Sequence, residues 1–104
     1  MKSKDTLREE IIEELKKIYD PEIPVSIWDL GLIYDIDISE KYEVLITMTL
    51  TSPNCPVAES MPLDVKHAIE KIPELKEVKV KVTFSPPWDM SKLSEAAMLE
   101  LGFL

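Results

Sequence analysis

The chain has 104 residues, 45% of them hydrophobic, with one cysteine, one histidine and a formal net charge of -8. That length supports a single domain around one core. The acidity disfavours nucleic acid as a partner, and no apolar run approaches the ~20 residues that span a bilayer. The lone thiol forbids an intramolecular disulfide and suits a reducing compartment. With His67 the sole histidine, it also forbids a closed zinc site built from this chain alone.

The charged start, Met1-Lys2-Ser3-Lys4-Asp5, lacks the apolar stretch of a secretion signal, so a cytoplasmic protein is expected. Thr6 and Glu9 form a capping box, and Leu7, Ile11, Leu15 and Ile18 follow at helical spacing, predicting a helix over Thr6–Tyr19. Asp20 precedes Pro21, which pushes it out of the helical region. The loop from Asp20 to Asp29 carries Asp20, Glu22 and Asp29, either as capping and turn residues or as part of a site. Leu32, Tyr34, Ile36 and Ile38 alternate, as do Val44, Ile46, Met48 and Leu50, which predicts an antiparallel hairpin turning at Ser39–Tyr42. Gly31, before the first strand, allows a turn or a close backbone approach.

Met48-Thr49-Leu50-Thr51-Ser52-Pro53-Asn54-Cys55-Pro56 begins as a strand and hands over to a helix. Pro56 suits the first helical position, so Cys55 falls at or beside the N-cap. There the free amides and the helix dipole favour a thiolate, which is both nucleophile and metal ligand. The alternative is a small cysteine packing a loop. A helix from Pro56 to Lys71 is expected, with its first third distorted by Pro62 or its start delayed to Ser60. Val78, Val80, Val82 and Phe84 then alternate inward on a third strand. Ser85–Asp89 forms an extended linker, and Ser91 caps a last helix carrying Leu93, Ala96, Ala97 and Leu101, with Gly102 as its stop. The order α-β-β-α-β-α predicts a small α/β domain, two-layered in the α+β sense, over residues 1–104. It has a mixed three-stranded sheet with helices packed against it.

The chemistry narrows by what is missing. His67 lies twelve positions beyond Cys55, roughly 18 Å along one helix, so it is no base for the thiol and is expected on the helix surface. Two distant glycines make no phosphate loop. One thiolate is one ligand, whereas an iron–sulfur cluster usually takes four. Cys55 therefore serves metal or sulfur chemistry only if a second molecule completes the ligand set. Thr51 and Ser52 either donate hydrogen bonds to the sulfur or cap the turn, and Asp20 and Glu22 either approach the sulfur to tune it or serve as capping residues.

Asp20-Pro21-Glu22, Asp29-Leu30-Gly31-Leu32-Ile33-Tyr34, Thr49 through Pro56, and Pro86-Pro87-Trp88 stand in an order that resembles the PaaD/SufT-like family of metal-sulfur cluster assembly domains. The likeness runs from about Thr6 to Leu104 and includes Met90, Ser94-Glu95-Ala96 and Leu101-Gly102 near the end. Pro62 departs from the pattern. The resemblance implies an iron–sulfur cluster assembly fold, with Cys55 as the reactive cysteine and Asp20, Glu22, Thr51 and Ser52 as its acidic loop and hydroxyl pair.

The expectation is an accessory factor in iron–sulfur protein maturation, with Cys55 as a transient ligand or sulfur-handling thiol. Asp20, Glu22, Thr51, Ser52 and Asp29 support it, and the cofactor is at most a transient iron–sulfur cluster. Its partners are assembly proteins, apo client proteins or a second copy, with no nucleic acid and no membrane. The alternative is a non-catalytic adaptor, including an accessory of a multicomponent oxygenase, with Trp28 and Trp88 as apolar anchors. A cysteine-dependent enzyme is the third reading.

Overall fold

The computed structural model describes residues 2–19, 25–50 and 60–102. Helix α1 (Lys4–Leu15) leads into strands β1 (Ile33–Ile38) and β2 (Glu43–Met48). Helix α2 (Ser60–Glu70), strand β3 (Glu77–Val82), a single 3-10 turn at Met90–Lys92 and helix α3 (Glu95–Glu100) follow. The sheet order is β1-β2-β3, with β1 antiparallel and β3 parallel to β2. This is the mixed three-stranded sheet that the alternation predicts.

The alternation also places the core. Val44, Ile46 and Met48 of β2 stand beside Val78, Val80 and Val82 of β3, and Ile36 and Ile38 of β1 flank them on the other side. Leu7, Ile11 and Leu15 of α1 and Met61, Val65 and Ile69 of α2 close over that face, all buried in one cluster. Burial of each such side chain contributes about 1.5–3 kcal/mol. His67 lies exposed on α2, as expected.

Several boundaries differ from expectation. The N-cap of α1 is Ser3, whose Oγ accepts from the Thr6 amide at 3.2 Å, so the Thr6–Glu9 capping box is not the helix start. Serine and threonine are both good caps, and the one three residues earlier wins. The helix ends at Leu15 rather than Tyr19. Ile18 is drawn out of it because its carbonyl accepts from the Ile27 amide at 2.8 Å, and Tyr19 bridges Ser26. A bulge between Ile33 and Asp35 turns Tyr34 away from the face it was expected to share with Ile36, setting Ile33 opposite Met48 instead.

Past β3, Phe84 is 43% exposed rather than inward, because the last ladder bond is Thr83 to Met48 and the chain then leaves the sheet. Ser94, not Ser91, caps α3, since Ser91 is taken up in the 3-10 turn under the Asp89 carboxylate. That shift leaves Ala97 buried and Ala96 exposed. Gly102, at φ 82°, ends the helix as expected. Pro62 is the third residue of α2 as described, where a helical amide has no partner inside the helix. The expected start at Pro56 and the distortion of the first third lie outside the described residues.

Candidate functional site

Asp20 and Glu22 lie outside the described residues, as do Thr51, Ser52 and Cys55; the structure describes the framework from which those two stretches spring. Both frameworks belong to one run of backbone hydrogen bonds. The Ile27 amide donates to Ile18 O at 2.8 Å, the Leu32 amide to Ile27 O at 3.1 Å, and the Thr49 amide to Leu32 O at 2.8 Å. Ile18 and Ile27 flank the Asp20 and Glu22 stretch, with the Tyr19–Ser26 bridge pinching its base. Thr49 and Leu50 lead toward Thr51, Ser52 and Cys55. Ile27, Leu30, Leu32, Thr49 and Leu50 are all buried, so the common base is rigid.

Thr49 is a residue the alternation does not single out. It falls at an outward position on β2's pattern, yet it is fully buried, and its Oγ1 finds no hydrogen-bond partner among the described residues. A buried hydroxyl without a partner is costly, typically 1–3 kcal/mol. The only hint in the sequence is its adjacency to Thr51 and Ser52.

Asp29 is the one candidate site residue whose contacts are described. Its Oδ2 accepts from the Ser26 hydroxyl at 3.1 Å, and its amide donates to Ser26 Oγ at 3.2 Å. Its Oδ1 accepts from the Ser94 hydroxyl at 2.9 Å, and its carbonyl from the Ser94 amide at 2.9 Å. Asp29 thus joins the 25–31 turn to the cap of α3.

The turn and the start of β1 are held at three further points. Trp88 Nε1 donates to Leu30 O at 2.6 Å. The Tyr34 hydroxyl donates to Pro86 O at 2.8 Å, and Lys92 Nζ sits 5.6 Å from the Tyr34 ring centroid. Gly31, at φ 76°, lies so close to the 3-10 turn that a Cβ there would stand 2.2 Å from Lys92 O. Both uses expected of that glycine, the turn and the close approach, are realised. Trp28 and Trp88 are half-buried against the core, so neither stands free as an anchor.

Tyr19, Val25, Ser26 and Asp29 line a shallow recess of about 210 Å³ against Ala96 and Ala97 of α3. Tyr19 and Val25 are the described residues on either side of Asp20–Pro24 in the sequence. Among the described residues no three carboxylate, cysteine or histidine side chains gather to hold a metal ion. The resolved charge effects lie elsewhere. Hydrogen bonds from the Ser91 side chain, then its amide, hold the Asp89 carboxyl below its usual value. Glu10 and Glu74 hold Lys2 above its own. Cys55 is the chain's one thiol.

Comparison with known proteins agrees with this framework. The family model described as iron-sulfur cluster assembly protein matches residues 8–82. An Fe-S protein maturation auxiliary factor of Porphyromonas gingivalis is 50% identical over 96 residues, covering 92% of this chain and 91% of that protein. The Fe-S protein maturation auxiliary factor YitW of Bacillus subtilis is 42% identical over 98 residues, covering 94% and 96%. A crystal structure of a domain of unknown function from Bacillus anthracis superposes with a TM-score of 0.88 at 36% identity, covering 96% of this chain and 95% of that one.

Proposed function

We propose, from the premise that the chain belongs to the iron–sulfur cluster assembly protein family, that Cys55 is its working group, a transient cluster ligand or sulfur-handling thiol completed by a second molecule. The protein is an accessory factor in the maturation of iron–sulfur proteins. The observation that carries the thiol reading is the shared base of the two candidate stretches. The Ile18–Ile27–Leu32–Thr49 run joins residues on either side of Asp20 and Glu22 in the sequence to those that precede Thr51, Ser52 and Cys55.

In this reading the cluster is cargo. Cys55 supplies one thiolate, Thr51 and Ser52 donate to its sulfur, and the acids of the loop set the local charge. Asp29 acts at one remove, by tying the turn that follows the acidic loop to α3. The partners are assembly proteins, apo clients or a second copy of this chain. The working unit is the single domain 1–104, placed in the cytoplasm. No described helix is long and apolar enough to cross a membrane. In the adaptor alternative Trp28 and Trp88 would serve as anchors; both are half-buried against the core, and Trp88 is held by Leu30 O.

Anaerobic treatment with iron and sulfide, or with a sulfane-sulfur donor, tests the thiol directly. The wild-type protein should gain either visible cluster absorption or the mass of one sulfur, and Cys55→Ser neither. A wild-type protein that gains neither, or a Cys55→Ser variant that gains as much, overturns the proposal.

A further inference from the structure

The sheet has two faces, and the described helices cover one. Helix α1 packs on β1 and on α2, α2 packs on β3, and α3 touches no strand. The opposite face is built from the outward residues of the three strands. The register sets them in rows: Asp37, Leu45 and Lys79 in one, Asp35, Thr47 and Lys81 in the next, and Glu43 beside Glu77 at the end. Acids stand on β1, lysines on β3, and Leu45, 38% exposed, lies on the middle strand between them. Among the described residues Asp35, Asp37 and Lys81 form no ion pair, and Lys79 reaches only Glu77, at 3.8 Å.

We propose that this open face pairs with the same face of a second copy, about a two-fold axis parallel to the strands. The proposal deepens the second-copy element of the reading above. The charge pattern selects the axis. Rotation about a line along β2 keeps each row level and lays β1 of one copy over β3 of the other. Asp37 then meets the other copy's lysine at position 79, Asp35 meets the one at 81, and both contacts occur twice. The two Leu45 side chains meet on the axis. A two-fold perpendicular to the strands would instead set β1 on β1 and β3 on β3, opposing like charges throughout, which disfavours it. Facing sheets pack about 10 Å apart, a gap that a lysine stem and an aspartate bridge together. The one like-charge meeting in the favoured arrangement is Glu43 with Glu43, at the edge.

Size sets the strength. Strands of six residues at ~3.3 Å each and three strands ~4.8 Å apart present roughly 300 Å² of flat face. A standard interface buries about 800 Å² per partner, and exposed ion pairs add little, so this dimer is weak and exchanges quickly. It fits an accessory factor that must also give up its partner.

The experiment is charge reversal and re-pairing, read by sedimentation of the full chain up to about 1 mM. Asp35→Lys with Asp37→Lys makes one variant, and Lys79→Asp with Lys81→Asp the other. Each alone should dimerise at least about tenfold more weakly than wild type, since each now opposes like charges. Mixed in equal amounts they should form a heterodimer of near wild-type strength, because every contact is again between opposite charges. All four residues are exposed, so folding should survive. Leu45→Asp, which sets two acids on the axis, gives the same loss independently of the reversals. A wild-type chain that stays monomeric at about 1 mM overturns both the face and the second copy. A dimer indifferent to the reversals, or a mixture that does not re-pair, overturns the face alone.

Discussion

Along β2, Val44, Ile46 and Met48 are at most 2% exposed and pair with apolar residues of β1 and β3 within the buried cluster. The contact between the 25–34 turn and the 86–102 segment is of another kind. It rests on the Asp29–Ser26–Ser94 bonds, the Trp88–Leu30 bond, the Tyr34–Pro86 bond and the close seat of Gly31 on Lys92. The first region gains from area removed from water and depends little on direction. The second gains from a few directed bonds, and each costs more to break than it adds net. The core therefore tolerates conservative change in shape, and the latch does not tolerate loss of a partner.

Truncation in the core should have the largest effect. Ile46→Ala leaves a cavity between two strands and two helices and should lower unfolding free energy by about 2–5 kcal/mol in urea titration. A loss under about 1 kcal/mol would mean that β2 is not the centre of the core.

Gly31→Ala comes next, at about 1–3 kcal/mol, from a strained positive φ and a Cβ 2.2 Å from a backbone oxygen. Its signature should be local: Trp88 fluorescence should change in the native state, before the main transition. If Trp88 is undisturbed, the latch does not close on Gly31.

Asp29→Ala should cost about 1–3 kcal/mol, and Asp29→Asn less, because the amide oxygen still accepts from one serine. Combining Asp29→Ala with Ser94→Ala should cost less than the sum, as both remove the same contact. Strict additivity would dissolve the latch into independent bonds.

The smallest effect is the pH dependence at Asp89. Ser91 lowers its folded value, so its contribution is full above the unfolded value near 3.8. It is lost as pH falls through the lowered folded value. In acid titrations, wild type and Asp89→Asn should keep a constant, small offset above that range and converge only below it, because the group is exposed. A difference at neutral pH that changes with proton concentration would contradict the assignment.

The core was legible because it is local. Alternation at Val44, Ile46 and Met48 names both the strand and its buried face without knowledge of any neighbour. Helix ends were less so. Ser3 and Thr6 are both good caps, and only the fold decides between them; Tyr19 continues a helical pattern until Ser26 pairs with it. The Tyr34 bulge and the outward Phe84 have the same cause, since each side chain follows where a distant segment leads the backbone. The latch was hidden for that reason too. Ser94 is 65 residues from Asp29, and no pattern links the two. Cys55 lies outside the described residues, so its reading rests on the sequence alone, a thiol between two nearby prolines. The latch residues Asp29, Gly31, Tyr34, Pro86 and Trp88 coincide with the motifs that carry the family likeness. Those motifs therefore describe how the fold is closed, while the proposed chemistry rests on the stretch that contains Cys55.

That separation is testable in cells. Client iron–sulfur enzyme activity should be measured with the wild-type chain, Cys55→Ser and Asp29→Ala, each normalised to the folded protein present. Cys55→Ser should accumulate normally and lose client maturation, while Asp29→Ala should lose activity only in proportion to its lost folded protein. Full client activity in Cys55→Ser cells would contradict the account.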